Sequence, residues 1–210
     1  IYLENDANCA ALGEAGAGAG GNVENFVAIT LGTGVGSGII VNGKIVNGCN
    51  DAAGEMGHSV IVVDGEPCTC GRRGCWEAYS SATALVRQTK KAMQENKDSL
   101  MWEIVGGDLN NVIGRTAFDG MRKGDIAAKV VVDKYIKYLA AGITNTINVF
   151  QPDVLCVGGG IGCEGEPLLA PIRKIVEKER YSIHCGKQTQ ICSAILGNDA
   201  GVIGAALLDE

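Results

Sequence analysis

Phe26-Val27-Ala28-Ile29-Thr30-Leu31-Gly32-Thr33-Gly34-Val35-Gly36-Ser37-Gly38-Ile39-Ile40-Val41-Asn42-Gly43-Lys44-Ile45-Val46 reads as a run of strands and tight turns. Residues 26–31 are apolar and partly β-branched, and residues 38–41 form a second such run across a Gly-rich connection at 32–37. Asn42-Gly43 tolerates the positive φ that a two-residue hairpin turn demands, so Lys44-Ile45-Val46 should return alongside. Downstream, helical patterns alternate with strands. Hairpin strands followed by that alternation point to an α/β domain with a mixed sheet.

Outward from this segment, Ile1-Tyr2-Leu3 reads as a short strand, and Asn5 or Asp6 can cap an Ala-rich helix over about 7–16. Gly and Ala at 16–21 mark a lobe boundary. Residues 48–77 have no period. Helices are expected over 78–96, 109–123 (with Asn110 or Asn111 near its start) and 125–150, where Gln151-Pro152-Asp153 stops the last one. Val154-Leu155-Cys156-Val157 is a buried strand. A helix over 166–180 carries Pro167 in its first turn, residues 190–195 form a strand, and Asn198 or Asp199 caps a final helix over 200–208.

The chain has 210 residues, 46% of them hydrophobic and 20% charged, with 31 glycines. That fits a globular protein with an aliphatic core and tight turns. The net charge is −6 with no basic block, which disfavours a nucleic-acid surface in this segment. No apolar run approaches the ~20 residues that span a bilayer, so no membrane partner is expected. No signal peptide is expected, since Ile1-Tyr2-Leu3-Glu4-Asn5-Asp6 turns acidic within four residues. Nine cysteines, mostly scattered, suit a reducing cytoplasm. The chain opens inside a strand without an initiator Met, so a fragment lacking its N-terminal part is expected.

One cysteine group is not scattered. His58 precedes the run Cys68-Thr69-Cys70-Gly71-Arg72-Arg73-Gly74-Cys75-Trp76-Glu77. Three thiolates and an imidazole are the ligand set of a tetrahedral structural zinc. Gly71 and Gly74 let the backbone fold back so that Cys75 reaches the same point. Reduced loop thiols are the alternative, but packing alone explains the spacing poorly. Glu55 and Glu77 flank the cluster. They are either solvated loop charges or hydrogen-bond partners for a polyhydroxylated ligand.

Two glycine loops remain. Gly32-Thr33-Gly34-Val35-Gly36-Ser37-Gly38 joins strand to strand and ends without Lys-Ser/Thr, so it is not a P-loop, and it lacks the dinucleotide pattern. It is either a plain hairpin turn or a nest of backbone N–H groups for phosphate. Gly160-Ile161-Gly162-Cys163-Glu164-Gly165 follows a strand but no acidic residue follows where a ribose-binding site expects one. The Gly158-Gly159-Gly160 triplet could instead pass close to an adenine or ribose. Asn5-Asp6 sits where a strand meets a helix, as an N-cap or as a carboxylate able to take a proton from a substrate hydroxyl.

Together these segments resemble the ROK family of sugar kinases and repressors. The resemblance rests on Glu4-Asn5-Asp6-Ala7-Asn8, on Leu31-Gly32-Thr33-Gly34-Val35-Gly36-Ser37-Gly38, on Gly54-Glu55-Met56-Gly57-His58, on the cysteine run, and on Val157-Gly158-Gly159-Gly160-Ile161. It implies an α/β actin/hexokinase-like (ribonuclease H-like) ATPase fold. Residues 22–197 would form the large lobe with its zinc loop, and residues 1–18 and 198–210 the remnants of a small lobe. It implies a kinase of the glucokinase kind, with ATP, Mg and structural zinc as cofactors, a hexose as substrate, and a cytoplasmic homo-oligomer as the working form. Asp6 matches the catalytic base, and Asn5, Glu55, His58 and Glu77 the sugar contacts. Gly32, Thr33, Gly34 and Gly36 match a phosphate loop, Gly158, Gly159 and Gly160 the adenosine loop, and His58, Cys68, Cys70 and Cys75 the zinc ligands. The family's Asp-x-Gly-Gly-Thr phosphate loop is absent, so these residues alone are expected to lack activity. A sugar-responsive repressor that has lost its DNA-binding region is the alternative. The sequence does not fix the hexose.

Overall fold

A computed structural model describes residues 4–21 and 23–208; the expected strand at 1–3 lies outside them. Helix α1 (Asp6–Ala17) comes first, followed by strands β1 (Phe26–Leu31), β2 (Val35–Val41) and β3 (Lys44–Ile45). Helices α2 (Glu77–Ser80), α3 (Ala82–Glu95), α4 (Met101–Ile104), α5 (Thr116–Arg122) and α6 (Ile126–Phe150) lead to β4 (Val154–Gly158). A single turn, α7 (Gly159–Gly162), then α8 (Glu166–Glu179), β5 (Gln190–Ser193) and α9 (Asp199–Ala206) complete the order.

The strands make one mixed sheet in the order β3-β2-β1-β4-β5. β2 runs antiparallel to β1 and β3, while β4 lies parallel to both β1 and β5. Alternation along β1 sorts the two faces, since successive side chains point to opposite sides. Val27, Ile29 and Leu31 join Leu155, Val157 and Ile191 in the main core beneath α6 and α8. Phe26, Ala28 and Cys156 face the other way, into a smaller cluster with Ala11 and Ala15 of α1. Among the described residues no helix is long and apolar enough to cross a membrane.

The strand after the glycine loop begins at Val35 and not at Gly38, because Gly36 and Gly38 keep ladder pairing with Thr30 and Ala28. Small residues are needed there: a Cβ on Gly38 would meet the Ala7 carbonyl at 2.5 Å, where α1 crosses the sheet. The helix expected over 78–96 is two helices. Ser81 is extended between them, and its hydroxyl accepts from the Ala84 N–H to start α3. Residues 109–111 form only a 3-10 turn, and α5 starts at Thr116. Asn198 stands at the start of α9, but its side chain makes no capping bond.

Candidate active site and metal centre

The candidate metal ligands Cys68, Cys70 and Cys75 come from a loop folded by its own backbone. Cys68 N–H donates to the Arg72 carbonyl and Gly71 N–H to the Cys68 carbonyl, closing a knuckle, while Gly74 N–H donates to Glu66. Gly71 and Gly74 both have positive φ, at 87° and 80°. The two differ in surroundings: a Cβ on Gly74 would run into the Val62 carbonyl, and one on Gly71 would meet nothing. Beyond the knuckle, Val60 pairs with Cys75 and Trp76 N–H donates to Ser59, which brings residue 58 to the same point.

One ligand atom each from His58, Cys68, Cys70 and Cys75 lies within 4.8 Å of all the others. Cys68 Sγ is 3.6 Å from His58 Nδ1, and Cys70 Sγ is 3.6 Å from Cys75 Sγ. A tetrahedral zinc with the usual bond lengths spaces its ligand atoms about 3.5–3.8 Å apart. The donor set and spacing therefore fit a closed zinc site. Burial, the bonds to Cys70 and Cys68, and the repulsion of a second thiolate push the Cys75 thiol up to about 12. A backbone N–H from Arg72 draws Cys70 downward.

Beside this cluster lies an open cleft of about 560 Å³. Asn5, Asp6, Glu55, His58 and Glu77 line it together with Gly32, Thr33, Gly34, Gly36 and Gly159. Each is held by identifiable contacts. Asn5 caps α1, with its Oδ1 accepting from Ala7 N–H at 2.8 Å. Glu4 Oε1 accepts from Asn5 N–H and from Asn8 Nδ2, fixing the turn that presents Asp6. Ser37 of β2 hydrogen-bonds the Gly54 carbonyl and accepts from Met56 N–H, and so pins the Glu55–His58 turn to the sheet.

Glu77 links two loops. Its Oε2 accepts from Val35 N–H at 3.0 Å, and its Oε1 accepts from the Thr69 hydroxyl at 3.2 Å. A Cβ on Gly34 would overlap the Glu77 carboxylate where it now lies, so a larger residue there would have to displace that side chain from Val35. The glycine loop is braced from below by α3: Ala82 N–H donates to Gly32 and the Thr83 hydroxyl to Thr33.

Of the second glycine segment, Gly159 (φ 80°) reaches the cleft, and a Cβ on it would press the Leu31 carbonyl at 2.5 Å. Gly158 lines a small adjoining hollow of about 50 Å³ and Gly160 lines neither. Thr30, Ser37, Gly197, Asn198, Ala200 and Gly201 also line the cleft. Sequence reasoning passed over these. Ser37 carried a signal as the polar member of the glycine loop, but Gly197-Asn198 reads locally as no more than a turn before a helix.

Residues 1–210 match the ROK family. A glucokinase from Halalkalibacterium halodurans is 39% identical over 211 residues, covering 99% of this chain and 63% of the relative. The xylose repressor of Bacillus subtilis is 32% identical over 205 residues, covering 97% of this chain and 49% of the repressor. The crystal structure of a ROK family glucokinase from Streptomyces griseus, in complex with glucose and AMPPNP, superposes with a TM-score of 0.90 at 37% identity. That match covers 99% of this chain and 67% of the other. The chain thus spans somewhat under two thirds of the Halalkalibacterium relative. The five-stranded mixed sheet with helices on both faces is the actin/hexokinase-like α/β fold. In sequence and in structure alike, the chain belongs to the ROK family.

Proposed function

We propose that these residues supply the sugar-holding side and one phosphate loop of an ATP-dependent hexose kinase, with glucose as the foremost substrate. The observation that supports this reading is the convergence of Asp6, Glu55, His58 and Glu77 with the glycine loop in one cleft. Carboxylates, an amide and an imidazole around an open polar space suit a ring of hydroxyls. A glycine-rich turn at the rim, open to close approach of its backbone, suits phosphate.

In this reading Asn5, Glu55, His58 and Glu77 hold the hexose, and Asp6 accepts the proton from the attacking hydroxyl. Gly32, Thr33, Gly34 and Gly36 receive the phosphates of Mg-ATP, and Gly158 to Gly160 border its adenosine. Transfer is in line, and catalysis is mainly positioning and charge stabilisation. His58, Cys68, Cys70 and Cys75 would hold a zinc with no open position, so the ion's contribution is to lock the loop. Through Cys75 that loop is continuous with Glu77, and through Ser59 it is tied to His58.

We assign residues 22–197 to the large lobe and residues 1–18 and 198–210 to the small one, and expect a cytoplasmic homo-oligomer. An ATP-coupled screen of hexoses on the whole protein tests the function. Glucose turnover above other hexoses is the expected result, and an inert protein that still binds sugars would favour the second reading. That reading, a sugar-responsive repressor, is supported by the likeness to the xylose repressor. It gives Asp6 and the glycine loop no task, although both line the cleft.

A further inference from the structure

Glu14 is a buried carboxylate that the proposed reaction leaves unused. It lies in the second half of α1 and is 2% exposed. No ion pair of the described residues includes it. Its partners are backbone N–H groups. Oε1 accepts from Ile195 at 2.9 Å and from Leu196 at 2.7 Å. Oε2 accepts from Ala19 at 2.9 Å and shares Ile195 at 3.1 Å. Burying an anion without a cation is costly, and only such charge-assisted bonds compensate for it. An aliphatic side chain would fill the same space without that cost, so the position calls for a carboxylate's acceptors.

Those acceptors join two segments that end at the cleft. Eight residues before Glu14, the same helix begins with Asp6. Just beyond Leu196, Gly197 and Asn198 line the cleft and lead into α9. α1 and α9 touch at backbone distance. A Cβ on Gly13 would overlap the Ala200 carbonyl, and one on Gly204 the Cys9 carbonyl. That contact holds the two helices close, and the Glu14 bonds add a directional tie at its end. Glu14 also borders the small hollow beneath the cleft, with Gly158, Gly159 and Gly197. The tie therefore sits under the junction of the sugar-side and nucleotide-side loops.

We propose that Glu14 is a positioning residue: its carboxylate ties α1 to the β5–α9 connection and so holds Asp6 at its place in the cleft beside the glycine loop. The inference rests on the kinase reading for its kinetic consequence, but not for its structural one. Displacing a catalytic group by an ångström costs up to about 100-fold in rate.

The test uses Glu14→Ala and Glu14→Gln in the whole protein. Expected is a fall in kcat of about 10- to 100-fold for Glu14→Ala, with hexose KM nearly unchanged. Glu14→Gln keeps an oxygen for Ile195 and Leu196 but loses the Ala19 bond, so its kcat should lie between. If Glu14→Ala does not fold, Glu14→Gln decides alone. A lowered unfolding temperature with wild-type kcat per folded molecule would overturn the inference and leave Glu14 as a purely structural tie. Amide exchange at Ala7 and Cys9, both bonded to Asn5 in the first turn of α1, needs no turnover. Faster exchange there in the variants supports the inference even if the wild type phosphorylates no hexose, and unchanged exchange with unchanged kcat removes it.

Discussion

At the scale of single residues, the site depends on where a side chain is present and where one is forbidden. Asp6 is exposed at the first position of α1, so Asp6→Ala removes no packing. In the whole protein it should lower kcat by about 10²–10⁴-fold while sugar binding, followed by calorimetry, largely survives. Normal turnover would remove Asp6 from the role of base. Gly71 and Gly74 make a sharper pair. Both have positive φ, so alanine strains each by about 1 kcal/mol. Only at Gly74 does the new methyl also strike the Val62 carbonyl. Gly71→Ala should therefore keep about one zinc per chain by metal analysis, and Gly74→Ala should lose it together with thermal stability. Equal zinc retention by the two variants would contradict the geometry of the knuckle.

At the scale of elements, α6 shows how much one capping residue holds. Asp125 is buried at its N-terminus, and its carboxylate accepts from Ala128 N–H at 2.6 Å and from Leu100 N–H at 2.5 Å. Burial alone would raise its pKa, but the N–H groups of Ala128, Leu100 and Ala127 and the Ser99 hydroxyl outweigh that and hold it below its ordinary value. A depressed pKa in the folded state means stability that is complete at neutral pH and lost as pH falls through the folded value. Asp125→Ala should cost about 1–2 kcal/mol by urea unfolding at neutral pH. The gap from wild type should narrow below about pH 4, and a gap that ignores pH would show the cap to be uncharged. Sequence alone located α6 well, because Asp125 starts it and Gln151-Pro152 stops it. It ran α2 and α3 together, since one extended residue at Ser81 does not disturb a helical period. It missed α4, a short turn with no side-chain cap. The knuckle, the glycine loop and the α1 start were legible for a common reason: each answers a local demand of the backbone. Gly197, Asn198 and the partners of Glu14 were not, because only the sheet brings residues 195–201 beside residues 5–14.

At the scale of the whole molecule, the Cys/His loop is seated in the main core through Trp76. Trp76 is fully buried, and its indole lies against Gly142 in the middle of α6, where any Cβ would overlap the ring. Glycine within a helix ordinarily costs up to about 1 kcal/mol relative to alanine. Here Gly142→Ala should destabilise in spite of that, by about 1–3 kcal/mol in thermal or urea unfolding. Chelating the metal should weaken hexose binding more than it lowers the unfolding temperature, since the sheet and α6 do not depend on the knuckle. Residues 1–210, which contain no Asp-x-Gly-Gly-Thr stretch, should turn over no ATP by themselves. Cys75, Trp76 and Glu77 are consecutive, and face in turn the Cys/His cluster, the core and the cleft. Such a tripeptide has no slack: inserting or deleting one residue there would disengage all three at once.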